Sequence, residues 1–133
     1  MKITQYSRLR IMESADYWSV PHEYFDPLFN YLVHGWEPGS FWSAVLANDF
    51  FRALQSSHPS NSIPQLKNAV GWIQDSFPRQ SFGSYEQVHN WLFFTEQERR
   101  LCLENHGLIY TEREEVEMAL RGVKTTPEPM LFG

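Results

Sequence analysis

The chain is punctuated at short intervals by residues that start and stop helices. Thr95 with Glu98, and Thr111 with Glu114, each make the pattern in which a hydroxyl and a carboxylate reciprocally satisfy the exposed amides of a helix start. Ser84 precedes Glu86 and Gln87, and Ser62 precedes Pro64, which gives two further starts. Gly35, Gly107 and Gly122 stand where a left-handed residue commonly closes a helix. No apolar/polar alternation lasts long enough to make a sheet. The expectation is an all-α, compact bundle of about six short helices.

The segments between these signals define the elements. Asp26-Pro27 is predicted to open the first clear helix, which Gly35 ends. Glu37-Pro38-Gly39 is turn chemistry. Ser40 starts a second, central helix running from Phe41 to Gln55. At 100° per residue, Trp42, Leu46, Ala47, Phe50, Phe51, Ala53 and Leu54 cover more than half its circumference, the mark of burial by several neighbours. Residues 56–61 form a loop. Leu66, Ala69, Val70 and Ile73 set the inner stripe of a third helix, extended by Trp72. Gly71 within it costs about 1 kcal/mol against Ala, which a close helix contact would explain. After a loop over 77–83, a fourth helix spans Tyr85 to Phe93. A fifth runs to Leu103 or Asn105, and a sixth is closed by Gly122. Residues 1–20 are ambiguous, with Leu9–Met12 readable as a short strand or as one turn of helix. One helical domain is expected over 1–126, and 123–133, with Pro127 and Pro129, reads as a tail for which mobility is the expectation.

Composition excludes several kinds of molecule. With 133 residues, about two thirds of the unfolded surface can be buried. Hydrophobic residues at 42% exclude overall disorder. Aromatics at 16% exceed what a small core readily hides, so some are expected at a partner interface or in a ligand pocket. A net charge of −5 without a Lys/Arg cluster disfavours nucleic acid. The lone Cys102 and the absence of a leader-like start point to a reducing cytoplasm, and no stretch suits a membrane span.

Tests for particular chemistries return little. His22, His34, His58, His89 and His106 include no pair at i,i+4, so no metal or cofactor is expected. Cys102 reads as a small buried hydrophobe. Glu112, Glu114, Glu115 and Glu117 read as a solvated face. Asn48, Asp49 and Arg52 form the one polar stripe on the central helix, either a structural network or a recognition patch.

The stretch His34-Gly35, Pro38-Gly39-Ser40-Phe41, Ala44-Val45-Leu46 and Asn48-Asp49, followed by Val70-Gly71-Trp72-Ile73 and by Phe82-Gly83-Ser84 leading to Trp91-Leu92, resembles a group of small proteins of tailed bacteriophages and prophages. The resemblance covers residues 21–93 and leaves 94–133, including the helices of 94–122, outside it. That family has no established activity, so the resemblance carries over no catalytic residue. It implies a phage protein in the bacterial cytoplasm. The expectation is a non-enzymatic accessory protein that binds a host or defence protein, with inhibition of a defence system as the role such a protein could serve. His34, Trp36, Glu37, Asn48, Asp49 and Arg52 are its candidate contact residues. The alternative is a small-ligand or nucleotide binder using surface aromatics and the helix start at Ser40. Self-association as a homodimer would also hide aromatics.

Overall fold

A computed structural model describes residues 1–57 and 61–122. Those residues form eight α-helices and no strand: α1 (Gln5–Tyr17), α2 (His22–Phe29), α3 (Ser40–Leu46), α4 (Phe50–Ser56), α5 (Ile63–Ser76), α6 (Tyr85–Phe93), α7 (Glu96–Asn105) and α8 (Glu112–Leu120). A wide π turn over Asn30–His34 extends α2, and a single 3₁₀ turn, Arg79–Ser81, precedes α6. The expected tail, and residues 58–60 of the expected loop, lie outside the described residues.

The all-α expectation holds, with two more helices than expected. The ambiguous N-terminal segment is a 13-residue helix, not a strand. Thr4 caps it by accepting from the Ser7 amide. Its buried stripe is Ser7, Ile11 and Ala15, four residues apart. One member of that stripe is a serine, so apolar periodicity alone does not show the helix. The α2 start also moves: Pro21 precedes the helix, and Pro27 lies inside it. The larger difference is the central helix. It breaks at Ala47–Asp49, where Asn48 takes a left-handed conformation at φ 61° and the Asp49 side chain accepts from the Arg52 amide to cap α4. Asparagine is among the few non-glycine residues that enter this region readily.

The C-terminal half follows the expected punctuation. Ser62 and Ser84 cap α5 and α6, and both Thr–Glu boxes form, at Thr95 with Glu98 and Thr111 with Glu114.

One contiguous core runs from Ile11 to Ile109. At its centre Trp72 and Trp91 are fully buried. Each such ring removes enough area to contribute roughly 4–6 kcal/mol as an upper bound. Their indole N–H groups are both satisfied: Trp72 Nε1 donates to Ser14 Oγ at 2.8 Å and Trp91 Nε1 to the Tyr31 carbonyl at 3.1 Å. The Tyr31 hydroxyl donates to the Ser81 carbonyl at 2.6 Å, and burial pushes its pKa well up. Gly71 does mark a close contact. A Cβ there would lie 2.5 Å from Cε3 and Cζ3 of Trp18, whose indole lies against α5 and donates to Asp75.

Glu115 departs from the expected solvated face. It is buried, accepts from Arg100 Nη2 at 2.8 Å, and also accepts from the hydroxyls of Thr4 and Ser7. Arg100 also pairs with Glu104 at 2.9 Å, and Ser7 Oγ accepts from the Tyr110 amide. This network ties α1, α7 and α8 together.

Candidate functional site

The break at Asn48 sets the shape of the surface. Before it, α3 buries Trp42, Ala44 and Leu46. After it, α4 has no buried residue at all. The chain changes direction, and Phe50, Phe51 and Leu54 turn away from the core. Phe50 is 68% exposed and Phe51 81%. The expectation that they line a rod wrapped by its neighbours is therefore corrected. A continuous helix would have kept them on the inner arc, whereas the left-handed residue rotates that arc outward.

Between α3–α4 and α5 this leaves a groove of about 570 Å³. Phe41, Val45, Phe50, Ala53 and Leu54 line one wall, and Ile63, Leu66, Val70 and Gly71 the other. Trp18 lies at the groove too, against Gly71. Val70 was expected on the inner stripe of its helix, but it is exposed here. Asn48, Asp49, Lys67 and Gln74 supply the polar lining. The groove is thus apolar with few polar groups, a form suited to binding.

Of the expected contact residues, Asn48 and Asp49 line this groove, and Arg52 is exposed on α4 beside them. Asp49 is well fixed. Its Oδ2 accepts from the Tyr85 hydroxyl at 2.6 Å and its Oδ1 from the Arg52 amide at 3.2 Å. The Tyr85 hydrogen bond, helped by the Arg52 amide, holds the carboxyl below its ordinary pKa, and the same bond raises that of Tyr85. Asp49 is thereby a cap and a clamp on α6 rather than a free acid. Asn48 is a hinge residue rather than one more point on a helix stripe.

His34, Trp36 and Glu37 stand elsewhere. The His34 and Trp36 rings lie 5.0 Å apart at 30°, Trp36 is 60% exposed, and Glu37 is exposed. Among the described residues no hydrogen bond, ion pair or ring contact joins them to Asn48, Asp49 or Arg52. The helix start at Ser40 is also less than expected. Gly39, at φ 92°, occupies the cap with no side-chain hydrogen bond, and α3 is only seven residues long.

Reactive groups are few. Burial, then Glu98, raises the Cys102 thiol pKa, the opposite of what a nucleophile needs. Among the described residues no group of three or more His, Cys, Asp or Glu side chains is placed to hold a metal ion. Likewise, no described helix is long and apolar enough to cross a membrane.

Sequence reasoning missed Phe50, Phe51, Leu54, Ile63 and Val70 as surface residues. One signal was present: Asn-Asp inside an apolar run is cap chemistry, and it marks a helix start at Phe50. Compared with protein-family models, curated proteins and solved structures, the chain matches none.

Proposed function

We propose that this protein is a non-enzymatic accessory protein that works by binding another protein through the groove between α3–α4 and α5. The observation that carries the reading is α4, a helix that buries nothing of its own, with exposed Phe50 and Leu54 lining the groove together with exposed Ile63 and Val70, and exposed Phe51 next to Phe50 on the same helix. Exposed apolar area of this kind favours association, and aromatic anchors dominate binding energy at interfaces. Asn48 and Asp49 at the rim would set orientation. The sequence resemblance supports the finer reading: a phage-encoded protein in a bacterial cytoplasm, binding a host or defence protein as an inhibitor.

The test is capture from infected-cell lysate with the intact chain and with the double variant Phe50→Asp, Phe51→Asp. Both substitutions fall in the first turn of α4, where acidic residues suit the helix dipole, so the fold should survive. A partner retained by the native chain at micromolar concentration and lost by the variant is the expected result. Equal recovery by both chains, or recovery by neither, defeats the proposal. Light scattering on the same pair of proteins separates a foreign partner from a second copy.

A further inference from the structure

A different part of the molecule carries an unrelated chemistry. At the foot of α1 a pocket of about 340 Å³ is lined by Met1–Gln5, Arg8, Phe29 and His34. We propose that this pocket binds the phosphate group of a small molecule, with the Arg8 guanidinium as its main contact and Lys2 as a second.

The argument begins with Arg8. Its guanidinium lies over the Phe29 ring, 5.1 Å from the centroid, so its plane is held by an aromatic face. Its Nε is buried and has no acceptor among the described residues. That nitrogen is too enclosed for a ligand to reach, so an oxyanion would be met by the part of the guanidinium that lines the pocket, and among the described residues no carboxylate pairs with it. The chain as a whole carries −5, so carboxylates are not scarce. The other arginine stacked on a ring in α1, Arg10 over Tyr110, lies beside α8 and its acidic first turn. Among the described residues Arg8 forms no ion pair.

The surroundings repeat the imbalance. The Met1 amine donates to His34 Nδ1 at 3.0 Å and lies 3.4 Å from Glu96, which is largely exposed. Arg99 is 5% exposed and donates to the carbonyls of Trp91 and Phe94, and its Nε has no acceptor among the described residues. Gly35 makes room for it: a Cβ there would lie 2.5 Å from Nη1. The charges of the Met1 amine, Arg99 and Arg8 all act on His34 against that of Glu96, while Glu115, which accepts from Thr4 in the lining, is paired with Arg100. The Met1 amine and Glu96 offset one another, which leaves Arg8 and Lys2 as two uncompensated positive charges in the lining. A phosphate dianion balances this better than a carboxylate. The volume, at the low end for ligand pockets, suits a small phosphorylated molecule.

The probe is inorganic phosphate, titrated at constant ionic strength against chloride, with the ring resonances of His34 followed by NMR. A saturable shift is expected. Arg8→Gln should weaken it at least tenfold and Lys2→Gln severalfold, while Lys67→Gln, in the remote groove, leaves it unchanged. Because Arg8 packs on Phe29, Lys2→Gln serves as the surface variant that leaves the fold intact. A shift that never saturates, or equal affinity in Lys2→Gln and the native chain, overturns the proposal. Acetate binding as tightly as phosphate overturns the assignment to a phosphate. The groove variant Phe50→Asp, Phe51→Asp should bind phosphate normally, which keeps this result independent of any protein partner.

Discussion

Replacing Glu115 with alanine removes the α8 carboxylate that hydrogen-bonds to the start of α1. Oε1 accepts from Arg100 at 2.8 Å, and Oε2 accepts from Thr4 and, more weakly, from Ser7 at 3.5 Å. Breaking a buried ion pair by removing one partner costs about 3–5 kcal/mol when the other charge is stranded. Arg100 is not stranded: it keeps Glu104 at 2.9 Å, and its side chain is 18% exposed. Ser7 likewise keeps the Tyr110 amide. The expected loss is therefore the charge-assisted bond plus one hydroxyl bond, about 2–3 kcal/mol. Unfolding entropy of about 2.1 cal/mol/K per residue over 133 residues converts this to a fall in Tm of roughly 7–11 °C. Urea unfolding followed by tryptophan fluorescence should show a lower midpoint at unchanged slope. Glu117→Ala is the control. Its pairs with Arg113 and Arg121 are exposed and should be worth under about 0.5 kcal/mol. A Glu115→Ala loss no larger than that of Glu117→Ala would refute the claim that this network fastens α8 to α1.

Two further outcomes follow from the packing. In Gly71→Ala, helix propensity favours alanine by about 1 kcal/mol, but displacing the rigid Trp18 indole costs about 1–3 kcal/mol, so the variant should be less stable. The sign should reverse in a Trp18→Ala background, and a double-mutant cycle that shows no reversal rejects the contact. For His34, burial first, and then the Met1 amine, Arg99 and Arg8, hold the pKa below its ordinary value against the pull of Glu96. The unfolded chain then binds more protons on acidification. The stability contributed by neutral His34 is present above the ordinary histidine range and declines as pH falls through it. Urea midpoints between about pH 7.5 and pH 5.5, in phosphate-free buffer, should fall for the native chain and less so for His34→Gln; an NMR titration of His34 at or above the ordinary value contradicts this.

Local signals were legible where one residue acts on its own neighbours. Ser84, Thr95 and Thr111 cap helices through amides three residues away, so position alone reveals them. Gly71 was readable as a contact, though not that Trp18 makes it. What escaped depends on residues distant in sequence. Glu115 looks like its neighbours until Arg100, Thr4 and Ser7 are brought to it from two other helices. Ser7 hides a helix stripe because its hydroxyl serves the same network. The break at Asn48 escaped because apolar spacing stays continuous across it. Hydrophobicity says that Phe50 and Phe51 should be covered, but not by which molecule. The six expected contact residues accordingly divide between two places, and the exposed aromatic wall was read as core.

The wide turn over Asn30–His34 carries a further consequence. There the Gly35 amide still reaches the Tyr31 carbonyl, which also receives the Trp91 indole, while the Trp36 amide reaches back to Asn30. Each residue of regular helix advances the chain by about 100°. Deleting one residue from the turn would restore an ordinary pitch, yet it would swing everything downstream around the axis by that angle. Gly35 would no longer face Arg99, and His34 would lose its station beside Arg8. The extra residue acts as an angular spacer, so shortening here should damage the bundle more than trimming a loop of equal length.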